Sequence, residues 1–122
     1  MLKVAKQQTV TATQMVSLDA SGSGVMLSLS DGEGHVFRQA LDAHDAGKLL
    51  ELISLWGVDE CVLCQGDLVA KISPCLHELY FTWHDERGGD GFVQLDRSVR
   101  MVFEEALRSY CRMLMRSPED LP

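Results

Sequence analysis

Positive charge is in short supply in this sequence. Its 18 acidic residues outnumber 11 lysines and arginines, for a net charge of −7 over 122 residues. The shortage is uneven. Residues 1–95 hold 13 acids against 6 bases, whereas residues 96–116 hold 3 against 5. An acidic surface repels a phosphate backbone, so bulk nucleic-acid binding is disfavoured. The same surface favours solubility and steers basic partners. Long apolar runs are missing too. None approaches the ~20 residues of a membrane-spanning helix, and no membrane association is expected. Near the amino terminus, Lys3 and Lys6 have no apolar stretch behind them. That is not the pattern of a secretory signal, so a cytoplasmic setting is expected. In that setting Cys61, Cys64, Cys75 and Cys111 are expected as thiols. Their even number is then no argument for disulfides.

The common catalytic signatures are also missing. There is no serine nucleophile elbow. No glycine-rich phosphate loop follows a strand and opens a helix, and the "SGSG" run precedes a strand instead. Adjacent carboxylates such as Asp59 with Glu60, or Glu104 with Glu105, diverge rather than face each other across a cleft. The residues favour no reaction class, for or against an enzyme.

What is there is a pattern of short strands and two helices, in a length that suits one domain, 1–122, able to bury its own core. Apolar and polar residues alternate over 9–18, with Val10, Ala12, Val16 and Leu18 on one face. That period of two marks a half-buried strand. Residues 25–30 and 35–41 continue a meander, joined by the hairpin signal "DGEG". Asp42 is placed to cap a helix over 42–56, with Asp45 three residues on as a partial capping box. Its predicted inner stripe is Ala46, Leu49, Leu50, Ile53 and Trp56. Strands follow at 58–65, 68–73, 76–84 and 92–95, and Asp96 caps a last helix over 97–116. The inner stripe of that helix reads Val99, Val102, Phe103, Ala106, Leu107, Tyr110, Met113 and Leu114. Glu104 and Arg108 make an i,i+4 pair outside it. The expected class is α+β, mainly antiparallel sheet, in the order β-β-β-α-β-β-β-β-α, with both helices packed on the sheet. Residues 1–8 and 117–122 are expected to be loosely ordered. "FRQALD" and "FVQLD" each hand a strand over to a helix, a likeness that common strand–cap–helix grammar explains more simply than duplication.

The stretch "ECVLCQGD" carries the best chemical candidate. Cys61 and Cys64 in front of Gly66 resemble a zinc knuckle, and Cys75 with His77 offers a second half-site, giving a Cys₃His set. A redox pair would need its first cysteine at a helix N-terminus, and a strand is predicted there. In a strand, residues three apart point to opposite faces. Cysteine also packs well as a small hydrophobe, which is the simpler expectation. His84, Asp85, Glu86 and Asp90 gather oxygen and nitrogen ligands in one loop, without the regular spacing of a calcium-binding loop.

The outer face of the last helix offers the other candidate. Met101, Glu105, Arg108, Arg112 and Met115 place methionines beside arginines where water is expected. Both types are enriched at protein interfaces. Leu55 and Met15 are further apolar residues on predicted outer faces. The favoured expectation is an acidic, non-enzymatic protein-interaction module, an adaptor, inhibitor or chaperone acting as a homodimer. Its element order and acidity look like those of small secretion chaperones, although the long leading helix of that family is not evident. A strand-rich half ending in a helix, twice over, also looks like the Pur or Whirly arrangement. That likeness implies a sheet that holds single-stranded nucleic acid through basic and aromatic residues.

Overall fold

A computed structural model of the chain describes residues 2–8, 13–54, 59–73, 77–85 and 88–114. It is an α+β fold of two antiparallel sheets and two helices. The first sheet is the meander β1 (Leu2–Gln8), β2 (Thr13–Ser21), β3 (Gly24–Ser30) and β4 (Val36–Leu41), followed by α1 (Ala43–Ser54). The second is the meander β5 (Glu60–Leu63), β6 (Leu68–Ile72), β7 (Leu79–His84) and β8 (Asp90–Leu95), followed by α2 (Arg97–Leu114). From β2 onward the order is the predicted one. Ahead of it, residues 2–8 extend the first meander by an outer strand instead of lying loosely outside it, paired from Gln8 opposite Thr13 to Leu2 opposite Leu18. The expectation for 117–122 lies outside the described residues.

Alternation places the core. Val16 and Leu18 of β2, Leu27 and Leu29 of β3, and Phe37 and Leu41 of β4 are buried. Their neighbours Ser17, Ser28 and Arg38 line up across the opposite face. In the second sheet Leu68, Ala70, Phe81, Trp83, Val93 and Leu95 point inward. Both inner faces and both helices feed one continuous apolar cluster. The helices are exchanged between the halves: α1 lies against β5 and β6, while α2 runs beside β1. Each half therefore completes its burial on the other. Phe103 of α2 meets Phe81 of β7 edge to face, with ring centroids 5.7 Å apart, worth about 1 kcal/mol beyond the area buried.

The two helices start alike. Asp42 Oδ1 accepts the Asp45 N–H at 2.8 Å, and Asp96 Oδ1 accepts the Val99 N–H at 2.9 Å. Each bond satisfies one of the donors a helix start leaves unpaired. Asp45 does not return a capping-box bond. Its carboxylate instead accepts the Cys64 N–H at 3.3 Å. The inner stripe of α1 is Ala46, Leu49, Leu52 and Ile53, with Leu50 only partly buried, and Trp56 lies outside the described residues.

In α2 the stripe differs from the predicted one. Phe103, Ala106, Leu107 and Cys111 are buried and Arg100 joins them, whereas Val102 and Met113 are 52% and 61% exposed. The core contacts only an arc centred on Phe103 and Leu107, and Val102 and Met113 sit just past its flank. Arg100 is kept inside by Glu104, whose Oε1 lies 2.6 Å from its Nη1. The predicted Glu104–Arg108 pair forms at 2.8 Å, and Arg108 also donates to Ser54 Oγ of α1 at 3.2 Å.

Candidate functional site

The cysteine stretch ends β5 in a tight turn against the core. β5 ends at Leu63, not at Gln65 as the strand pattern predicted. Cys64, Gln65 and Gly66 follow with φ of 54°, 58° and 101°, a left-handed turn. That turn swings Cys64 inward, so it is buried, and Cys61 packs half-buried against the same core. The expectation of opposite faces fails because the chain has left the strand by Cys64. Burial, opposed by the nearby Lys48 ammonium, pushes the Cys61 thiol up to about 11. Burial together with the carboxylates of Asp45, Asp67 and Asp42 pushes Cys64 to about 11 as well. Thiols held protonated are weak nucleophiles and weak metal ligands. Cys75, the third proposed ligand, lies outside the described residues. His77 sits in the turn ahead of β7 with φ 55°, its N–H bonded to Ser73 O at 2.8 Å. Among the described residues no cluster of three or more histidine, cysteine or carboxylate side chains could hold a metal ion.

His84 Nδ1 and Asp90 Oδ1 pair at 3.0 Å across the β7–β8 ends, both largely exposed, and Glu86 lies outside the described residues. A tighter histidine pair went unread in the sequence. Asp31 Oδ1 in the β3–β4 hairpin accepts the Glu33 and His35 N–H groups at 2.8 and 3.1 Å, and its Oδ2 lies 2.6 Å from His35 Nδ1. The hydrogen bond to Asp31 holds His35 above its ordinary pKa, against the opposing effect of burial, and the charge of Asp85 adds to the rise. Burial would raise Asp31, but the Glu33 amide and the His35 ring and amide outweigh it and lower its pKa. "DGEGH" read only as a turn, because nothing local shows that Asp31 is buried.

Among the described residues, the outward face of the second sheet does not supply the basic patch a nucleic-acid reading needs. On the second sheet, Tyr80 and Phe92 approach with centroids 5.9 Å apart. Around them stand Glu60 and Glu78, with Lys71 as the lysine of that face, itself 3.7 Å from Glu60.

Of the predicted interaction surface, Met101, Glu105 and Arg112 are exposed on α2. Arg108 is half-engaged with Glu104 and Ser54, and Met115 lies outside the described residues. Val102 and Met113, assigned from sequence to the core, join this surface. Two open cavities lie elsewhere. One, of about 850 Å³, is lined by Phe37, Val69, Trp83, Asp90 and Phe92 among others. The second, of about 870 Å³, is lined by Ala40, Asp42, Asp45, Lys48 and Cys64 among others. Gln39, Gly66 and Asp67 line both. No helix among the described residues is long and apolar enough to cross a membrane. No protein-family model matches the chain, and no match was found among curated proteins.

Proposed function

We propose that the chain is a small, acidic, non-enzymatic interaction module that self-associates through the outward face of α2, as an adaptor, inhibitor or chaperone would. The observation that carries this reading is the apolar exposure of one long helix: Met101, Val102 and Met113 are all more than half exposed. Residues eleven apart fall almost in line on a helix, so Val102 and Met113 share a flank. Glu105 and Arg112 are seven apart and also in line, between the apolar flank and Met101. An antiparallel pairing of two copies of α2 sets Glu105 of each against Arg112 of the other. Such a pattern is complementary to itself, which a two-fold interface requires.

The test is the mass of the particle in solution as concentration is raised. A dimer is expected, converted to monomer by Met101→Glu with Met113→Glu. Glu105→Arg and Arg112→Glu should each weaken it, and the two together should restore it. A wild type that stays monomeric, or a methionine double variant that stays dimeric, overturns the reading.

A further inference from the structure

We infer that the outward edge of β4 is a docking edge for an extended, basic peptide of a partner protein, which adds to the first sheet as a further strand. The inference rests on the interaction reading but uses a surface separate from α2.

The geometry of the hairpin says which backbone groups are free. Asp31 N–H bonds to His35 O, and the pairing continues through Leu29 opposite Phe37 and Leu27 opposite Gln39. In an antiparallel ladder, hydrogen-bonded pairs alternate with pairs whose polar groups point away. The N–H and C=O groups of Val36, Arg38 and Ala40 therefore face outward from β3. Among the described residues nothing bonds to them.

The edges of the second sheet are treated differently. The Gln14 side chain donates to Phe92 O at 3.3 Å and accepts from Gln94 N–H at 3.1 Å, filling the edge of β8. Lys48 Nζ donates to Val62 O at 2.6 Å, and Asp45 takes the next free N–H, that of Cys64, at the edge of β5. An uncovered edge is a template for strand addition, and proteins commonly block such edges. Here β8 is filled by a dedicated side chain and β5 carries one at Val62 O, whereas among the described residues β4 has none.

The bare edge also has a groove beside it. Phe37, Gln39 and Ala40 line the two cavities and no residue of β3 does, so both lie on the outward side of β4. They are joined by the pair Gln39 Nε2 and Asp67 Oδ2, 3.2 Å apart. Asp42, Asp45, Asp67 and Asp90 line the joined groove. Lys48 is its lysine, and its ammonium is tied to Val62 O. Arg38 turns to the outer sheet face, in register with Ser28 and Ser17, and lines neither cavity. Phe37, Val69, Trp83 and Phe92 supply apolar walls at one end. The chemistry selects an extended segment that alternates lysine or arginine with aliphatic residues: main-chain bonds for affinity, alternate side chains for specificity. A second copy of this chain is a poor occupant, since pairing β4 with β4 would bring two acidic grooves together.

The experiment uses the full chain and fluorescent octapeptides of alternating lysine and valine, with a glutamate–valine peptide as control. Fluorescence anisotropy should show binding of the lysine peptide, weakened by salt, and none of the glutamate peptide. N-methylation at the peptide positions facing β4 should weaken binding about tenfold, the loss of one or two backbone hydrogen bonds. Asp67→Asn with Asp90→Asn, both exposed, should weaken it while leaving the fold intact by circular dichroism. Hydrogen exchange should show new protection at Val36, Arg38 and Ala40. Equal binding of both peptides, indifference to N-methylation, or protection confined to α2 overturns the inference. So does β4 protection that rises with protein concentration alone, which would give the edge to a second copy. Dimer dissociation by the α2 variants without loss of peptide binding separates this inference from the self-association reading.

Discussion

The two halves of the molecule run through the same elements, four strands and a helix capped by aspartate, yet they finish their sheets in opposite ways. In the second half, side chains of the first fill the edge of β8 and reach that of β5: Gln14 on Phe92 and Gln94, Lys48 on Val62 O, and Asp45 on the Cys64 N–H just past the strand. The first half ends on β4, whose outward groups have no partner among the described residues and face a groove. The difference shows that repetition of an element order does not repeat its exposure. A sheet edge is closed by residues far away in sequence, and only where they happen to reach it.

The largest effect that would break this comparison is expected at Gly91. A Cβ there would stand 2.0 Å from Trp83 Cε2, and the Trp83 indole in turn meets Phe37 of the first half at 6.1 Å. Gly91→Ala should cost about 3 kcal/mol through overpacking, read from urea unfolding together with loss of the near-ultraviolet tryptophan signal. An unchanged midpoint would mean that the indole is not seated there.

Next comes the sealed edge itself. Gln14→Leu leaves Phe92 O and Gln94 N–H without their partner, at an expected cost of about 2 kcal/mol. Arg38→Ala on the bare edge should change stability by less than about 0.5 kcal/mol. Equal costs at the two sites would erase the distinction between sealed and open edges.

A smaller effect depends on pH. His35 binds its proton more tightly folded than unfolded. Its contribution is therefore complete below the ordinary histidine value of 6.5 and is lost as pH rises through the raised folded value. Asp31 is shifted down, so its contribution holds above 3.8 and is lost as pH falls through the lowered folded value. His35→Asn should flatten the decline in stability on the alkaline side, measured by urea midpoints across that range. The same decline in the variant would remove the hairpin pair as its cause.

The smallest effect concerns the thiols, and it is one of rate. With Cys61 and Cys64 held at about 11, both should react slowly with a thiol reagent at neutral pH and rapidly after unfolding. Fast labelling of either in the folded protein would contradict their packing.

Much of the fold follows from local patterns alone. Alternation at Val16 and Leu18, and at Leu79, Phe81 and Trp83, determines strands with one buried face, because the side-chain period of an extended chain is two. Asp42 and Asp96 determine where the helices begin, because a carboxylate beside unpaired N–H groups is a local event. The exposed methionine and charges of α2 were legible from helical geometry as well. Tertiary structure decided the rest. Which arc of α2 faces inward depends on where β1 and β7 stand, so Val102 and Met113 came out and Arg100 went in. The left-handed turn at Cys64 depends on a core that receives its side chain and on Asp45 to hold its N–H. Whether a sheet edge is sealed or bare depends on contacts as distant in sequence as Gln14 and Gln94, and periodicity carries no information at that range.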